Sequence, residues 1–328
     1  MELAVSPTPT FATRLLGKTG IRVTPIGLGV MELSGGGGIM GIAFPNLSRE
    51  EKNSIIKSAL DAGINWFDTA EFYGRGRSER SLAAGLHAAG IRGGEAVVAT
   101  KWSPYFRKAS NIPRTIQERL RNLDGYPIDL FYIHNPRGLS TPEDEMNAMA
   151  DLVEAGKIRS VGVSNFDAGL MRRAHAALQK RGLPLAANQV HYSLLHRAIE
   201  TDGILETARE LGVTIVAYTP LASGLLTGKY HRNPELLKKK FFYWRGRIEP
   251  LLEPSRPLVA ALEEIASRYQ ATAAQVALNW LIHFNGETVV TIFGATKAQQ
   301  VAEGAGAMRF RLSDTDLARL DEVSRAFR

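Results

Sequence analysis

The sequence predicts an α/β fold, a (β/α)8 TIM barrel with an N-terminal β-hairpin and extra C-terminal helices. Apolar β-prone segments alternate with helical segments at a spacing of roughly thirty residues, a layout that needs about 250 residues. The polar residues of the β-segments stand at their C-terminal ends, where the active sites of such barrels lie. No linker, low-complexity tract or close repeat interrupts the pattern. Residues 1–328 therefore read as one domain, with 1–12, carrying Pro7 and Pro9, as a flexible tail.

The elements follow in order. Residues 14–23 read as a hairpin, with Leu15, Leu16, Ile21 and Val23 flanking the turn Gly17-Lys18-Thr19-Gly20. Residues 26–30 form the first buried strand, and 35–38 are a glycine-rich flexible loop. Ser48-Arg49-Glu50-Glu51 is a capping box that opens a helix, which Gly63 stops. Strands are then expected at 65–68, 96–100, 129–133, 160–163, 186–188, 213–217 and 289–292. Helices between them are expected at 78–89, 112–123, from Thr141-Pro142, and at 168–180 and 199–211. A long loop to residue 254 precedes helices at 257–269 and 273–283. A helix from 298 and a terminal amphipathic helix capped by Ser313 complete the chain.

Composition excludes several functions. Apolar content of 45% is ample for a large core. The chain has no cysteine, which removes disulfides, thiolate metal sites and cysteine nucleophiles and fits a reducing compartment. No apolar run has the length of a membrane span, and no secretory signal stands at the N-terminus; a cytoplasmic protein without membrane partners is expected. The net charge is +7, and its one basic cluster, 238–247, interleaves lysines and arginines with Phe241, Phe242, Tyr243 and Trp244. Such a run can grip single-stranded nucleic acid. The favoured reading is a solvated loop with aromatics packed beneath it, so no nucleic-acid partner is expected. A basic surface also attracts a polyanionic cofactor.

The candidate site is the row of polar residues at the strand ends. Asp68 closes Asn65-Trp66-Phe67, and Tyr73 follows in a short loop ending at Gly74. Lys101 follows Val97-Val98-Ala99-Thr100, and His134 follows Leu130-Phe131-Tyr132-Ile133. Ser164 and Asn165, then Gln189, then Tyr218 end the next three strands. A phenol has an ordinary pKa near 10 and needs a neighbouring cation to trade a proton near neutrality; Lys101 is the candidate. A buried lysine needs a counter-ion, which Asp68 supplies. His134 would orient a carbonyl oxygen toward Tyr73. Side chains carry no hydride, so reduction would require a cofactor. His191 and His196 lack further partners at zinc-ligand spacing, so no metal is expected. Met31, Phe72 and Trp102 border the mouth as a substrate wall or as barrel plugs, and Arg137 is a candidate anion contact beside His134.

Three local motifs, Phe67-Asp68-Thr69-Ala70-x-x-Tyr73-Gly74, Ala99-Thr100-Lys101 and Tyr132-Ile133-His134-Asn135-Pro136, resemble those of the aldo-keto reductases. The resemblance covers about residues 13–325 and implies NADPH-dependent, reversible reduction of a small-molecule aldehyde or ketone. It implies Asp68, Tyr73, Lys101 and His134 as the catalytic tetrad, with Tyr73 the general acid. It implies that Ser164, Asn165 and Gln189 hold the nicotinamide carboxamide and that Tyr218 stacks on the ring. Residues 219–229 resemble the pyrophosphate loop, bringing in Pro220, Leu221, Ser223, Gly224, Leu226 and Lys229. Gly294, Thr296, Lys297, Gln300 and Glu303 would hold the far end of NADP(H), Thr296 and Lys297 gripping the 2′-phosphate at a helix N-terminus. The family pattern usually has proline where Phe293 stands and asparagine where Gly304 stands. No Rossmann fingerprint is present, since Gly27-x-Gly29 and Gly74-x-Gly76 lack a third glycine. Two rival readings remain at this stage: a Schiff-base aldolase using Lys101, and a nicotinamide-binding regulatory subunit with little turnover.

Overall fold

In a computed structural model of the chain, residues 11–35 and 46–328 are described. Most of the expected tail and most of the 35–38 loop fall outside those residues. The hairpin strands β1 (Arg14–Leu15) and β2 (Arg22–Val23) pair antiparallel. Eight parallel strands then close a barrel: β3 (Ile26–Gly29), β4 (Trp66–Asp68), β5 (Val97–Trp102), β6 (Leu130–Ile133), β7 (Ser160–Ser164), β8 (Leu185–His191), β9 (Thr214–Tyr218) and β10 (Val289–Gly294), with β10 returning to pair with β3.

The helices lie on the outside. They are α1 (Arg49–Asp61), α2 (Arg77–Ala88), α3 (Ile112–Asn122), α4 (Pro142–Glu154), α5 (Ala168–Gln179) and α6 (Ile204–Leu211). The capping boxes at Ser48 and Thr141 form as their sequences require, each side chain accepting from the third helical amide. One helix differs from expectation. Residues 199–211 are split into a 3-10 turn and α6, because Gly203 takes a left-handed φ of 85° between them. The long loop also differs. Residues 222–251 coil into a 3-10 turn (Ala222–Thr227) and the short helices α7 (Lys229–Arg232), α8 (Glu235–Lys238) and α9 (Phe242–Ile248). The chain ends with α10 (Arg256–Arg268), α11 (Ala273–Phe284), α12 (Ala298–Ala305) and α13 (Asp314–Val323).

Two apolar clusters follow from the period-two alternation of the strands. Trp66, Ala99, Leu130, Tyr132, Ala187, Val216 and Val290 fill the barrel interior, and Leu16, Ile21 and Val23 of the hairpin close its N-terminal end. The larger cluster lies between strands and helices. The interior aromatics need bare neighbours: a Cβ on Gly27 would stand 2.3 Å from the Trp66 ring, and one on Gly162 would stand 2.6 Å from Tyr132. Trp66 and Tyr132 are thus each matched to a glycine on a neighbouring strand. The far end of the chain is locked by Arg197, wholly buried, which donates to Glu200 at 2.7 Å and to the Ser324 hydroxyl at 2.7 Å.

Candidate active site

The strand register assembles the centre of the site. Asp68 pairs with Ala99, so Lys101, two residues further along β5, faces the same way and reaches over the end of β4. Its ammonium contacts the Asp68 carboxylate and donates to the Thr69 carbonyl at 2.8 Å. Gln189 donates to the other Asp68 oxygen at 2.8 Å. Lys101 is 0% and Asp68 2% exposed, so this is a buried ion pair in which each member makes one further hydrogen bond. Burial pushes the carboxyl up and the ammonium down, and their mutual contact opposes both shifts.

Tyr73 is carried by the turn after β4, and its ring centroid lies 5.3 Å from the Lys101 ammonium. His134, at the end of β6, meets the Tyr73 ring edge-on at 5.6 Å. Burial first, then the Lys101 charge, pulls His134 down to about 3, so its imidazole is neutral. Tyr73 departs from expectation. Its phenol is pushed well above its ordinary value by burial first, then by Asp68, Glu32 and Tyr218. Burial outweighs the lowering expected from the Lys101 ammonium, whose charge is shared with Asp68 in the buried pair. The four residues thus form a protonated phenol, a neutral imidazole and a neutralised ion pair at one mouth.

The turn carrying Tyr73 is anchored from behind. Glu71 accepts from the Ser103 amide at 2.6 Å and from Arg107 at 2.6 Å, and it contacts buried Arg119. Glu79, wholly buried at the start of α2, accepts from Thr100 at 2.7 Å and Asn122 at 2.8 Å. These carboxylates bracket Tyr73 in sequence and tie its turn to β5 and α3.

The residues expected to hold a dinucleotide line one side of the mouth. The Ser164 hydroxyl donates to the Gln189 carbonyl at 2.8 Å, and Asn165 donates to the Ser164 hydroxyl at 3.0 Å. The Tyr218 hydroxyl donates to Asn165 at 2.9 Å. Beyond β9, Pro220 and Leu221 lead into the 3-10 turn, which is kinked at Ser223 and Gly224, with Leu226 buried and Lys229 opening α7. Asn165, Thr219, Ala222 and Ser223 all have positive φ, from 46° to 60°. Such strain in non-glycine residues persists only where the surroundings enforce it, and it gathers at ligand sites. At the end of β10, Gln300 accepts from the amides of Thr296 at 2.9 Å and Lys297 at 3.1 Å, leaving the Lys297 ammonium exposed. Glu303 accepts from Thr272 at 2.8 Å. Basic groups, a helix start and a strained turn suit a polyanionic dinucleotide.

Sequence reasoning missed four participants. Glu32, on the turn after β3, presses its carboxylate against Gly294, where a Cβ would stand 2.1 Å from it, and one of its oxygens is buried with no hydrogen bond among the described residues. Burial raises it to about 7. Lys240 and Arg247 belong to the basic run, and their charges reach Glu32 and Lys229, and Tyr218, His191 and His196, respectively. The run is therefore folded against the site, and Phe242 and Tyr243 are exposed rather than packed beneath it. His191 stacks on Tyr218. Of the three mouth residues, Trp102 is wholly buried and donates to Asn111 at 3.0 Å, whereas Phe72 is exposed. The departures at 293 and 304 prove to be one feature: the Phe293 ring occupies the space of a side chain at 304, where a Cβ would stand 2.5 Å from it. Among the described residues, no group of three or more His, Asp or Glu is arranged to hold a metal ion. No helix among them is long and apolar enough to cross a membrane.

A (β/α)8 barrel with phenol, ammonium, carboxylate and imidazole converging at the C-terminal mouth defines a barrel oxidoreductase. The model of the aldo/keto reductase family matches residues 25–325, and this chain belongs to that family. It is 34% identical over 324 residues to aldo-keto reductase str7 of Strobilurus tenacellus, covering 95% of this chain and 91% of that protein. It is 33% identical to the chloroplastic pyridoxal reductase of Arabidopsis thaliana, covering 84% of this chain and 77% of the relative. Among solved structures it is similar to a thermostable aldo-keto reductase in complex with the inhibitor epalrestat, with a TM-score of 0.76, 30% identity and coverage of 95% of this chain and 99% of the other. An aldo-keto reductase from Klebsiella pneumoniae in complex with NADPH superimposes with a TM-score of 0.73 at 25% identity, covering 95% and 94%.

Proposed function

We propose that the protein is an NADP(H)-dependent enzyme that reduces an aldehyde or ketone to the alcohol, reversibly, with Tyr73 as the proton donor. The observation that carries this is the Tyr73 phenol at the mouth, flanked edge-on by His134 and facing the buried Lys101–Asp68 pair. Bound NADPH would supply the hydride, its nicotinamide held by Ser164, Asn165 and Gln189 against Tyr218. Pro220, Leu221, Ser223, Gly224, Leu226 and Lys229 would hold the pyrophosphate. Gly294, Thr296, Lys297, Gln300 and Glu303 would hold the adenosine end. The Klebsiella neighbour's NADPH complex and the relative named aldo-keto reductase yakc [NADP(+)] of Schizosaccharomyces pombe support the cofactor assignment. With no cysteine in the chain, the cytoplasm is the setting this reading carries.

This chain's residues perform four tasks. Neutral His134 hydrogen-bonds the carbonyl oxygen and directs it to the phenol. Tyr73 donates its proton as negative charge develops on that oxygen. Lys101 offers positive potential to the forming phenolate without itself being free to react, since Asp68 holds it. The Glu71–Arg119–Glu79 network holds the Tyr73 turn in place. The test is NADPH consumption across aldehydes, ketones and sugars, with pyridoxal included because of the Arabidopsis relative's name. Turnover of at least one carbonyl class is expected. Borohydride trapping of a carbonyl on Lys101, without NADPH oxidation, would instead establish an aldolase.

A further inference from the structure

Tyr218 is fixed from two directions. Its hydroxyl donates to Asn165 at 2.9 Å. One face of its ring is covered by the imidazole of His191, its register partner on β8, with centroids 5.4 Å apart and planes inclined by 8°. His191 is itself covered by His196, at 3.9 Å and 17°. His196 is brought back over β8 by a tight turn in which Ser193 and His196 exchange backbone hydrogen bonds at 3.0 and 3.1 Å. The three rings form one column. Offset parallel rings at these separations attract each other beyond their simple burial. The column is also electrically quiet: burial, then His196 and Arg247, pulls His191 down to about 4, and burial also lowers His196. The His191 ring takes up no proton near neutrality.

From this column we infer that His191, backed by His196, is a positioning residue. It holds the plane of the Tyr218 ring so that the opposite face is ready to receive the nicotinamide. This rests on the reading that Tyr218 stacks on the cofactor. An unsupported tyrosine at a strand end would sample ring rotations, and each would have to be frozen out on binding. The imidazole removes that freedom beforehand. Its contribution is to affinity for the nicotinamide half, the part that stacks on Tyr218.

The experiment compares two ligands by calorimetry: NADPH, and 2′-phospho-ADP-ribose, which keeps the phosphates and adenosine but lacks the nicotinamide. His191→Ala is expected to weaken NADPH about three- to tenfold, the scale of one aromatic pair, while leaving the fragment unchanged. His191→Phe, which restores a flat ring, is expected to recover NADPH affinity. Tyr218→Ala serves as the reference and should weaken NADPH selectively. If Tyr218→Ala is selective but His191→Ala leaves NADPH affinity intact, or weakens both ligands equally, the positioning role is overturned. If Tyr218→Ala itself shows no selectivity, the stacking reading beneath it falls, and this role with it.

Discussion

At the scale of single residues, the site separates a proton donor from the groups that support it. Tyr73→Phe removes only a hydroxyl, so cofactor affinity should persist while single-turnover hydride transfer falls about 10²–10⁴-fold. Retention of more than about a tenth of the rate would assign the proton to another group. The pH dependence follows from the shifts. Burial keeps Tyr73 protonated and holds His134 neutral down to about 3. Reduction, which uses the protonated phenol, should therefore show no acid limb from His134 across about pH 5–8. Alcohol oxidation needs the phenolate and should rise with pH through that range. Stopped-flow rates in both directions check this, and a flat oxidation profile would count against Tyr73. At the groove's far end, Lys297→Met should weaken NADPH by about 1.5–3 kcal/mol and NADH hardly at all. Equal weakening of the two would remove Lys297 from the 2′-phosphate.

At the scale of elements, α4 buries a carboxyl against the loop that precedes it. Glu145 sits in the first turn of α4, pressed against Gly138, with one carboxylate oxygen buried and unbonded among the described residues. Burial, then Asp144, raises it to about 7 from an ordinary 4.5. For an acid raised in the folded state, folding is favoured while the group is protonated. That contribution is lost as pH climbs from about 4.5 through 7. Glu145→Gln should therefore stabilise the protein by about 1–3 kcal/mol at pH 8 and by much less at pH 5, in urea unfolding. An equal change at both values would mean that the carboxyl is not buried as described. His134, His191 and His283 are lowered on folding and act in the opposite sense, losing stability as pH falls below 6.5. The comparison of mutant with wild type isolates Glu145 from them.

At the scale of the whole molecule, stability and chemistry occupy opposite ends of the barrel. Leu16, wholly buried, belongs to the hairpin that stoppers the N-terminal end, and every tetrad residue lies at the other end. Leu16→Ala should cost about 2–5 kcal/mol in denaturant unfolding yet leave single-turnover hydride transfer unchanged. A matching loss of rate would show that the two ends are coupled.

The sequence alone determined the barrel, its hairpin, the capping boxes at Ser48 and Thr141, and the identity of the strand-end residues. Each depends on local chemistry: period-two apolar runs, a hydroxyl followed three residues later by an acid, a polar residue where an apolar run stops. What only the tertiary structure decided depends on groups distant in the chain. Tyr73 is raised, not lowered, because the fold buries it and sets Asp68, Glu32 and Tyr218 around it. Glu32 enters the site because the closure of β10 onto β3 brings Gly294 beside it. The basic run becomes part of the site because α7 to α9 fold it back, and its charges then reach Tyr218 and Lys229. Phe293 and Gly304 are one packing decision, visible only when the ring is seen where the missing side chain would be. Local pattern fixes which residues reach the mouth; the field and the free volume there are sums over neighbours that no local pattern contains.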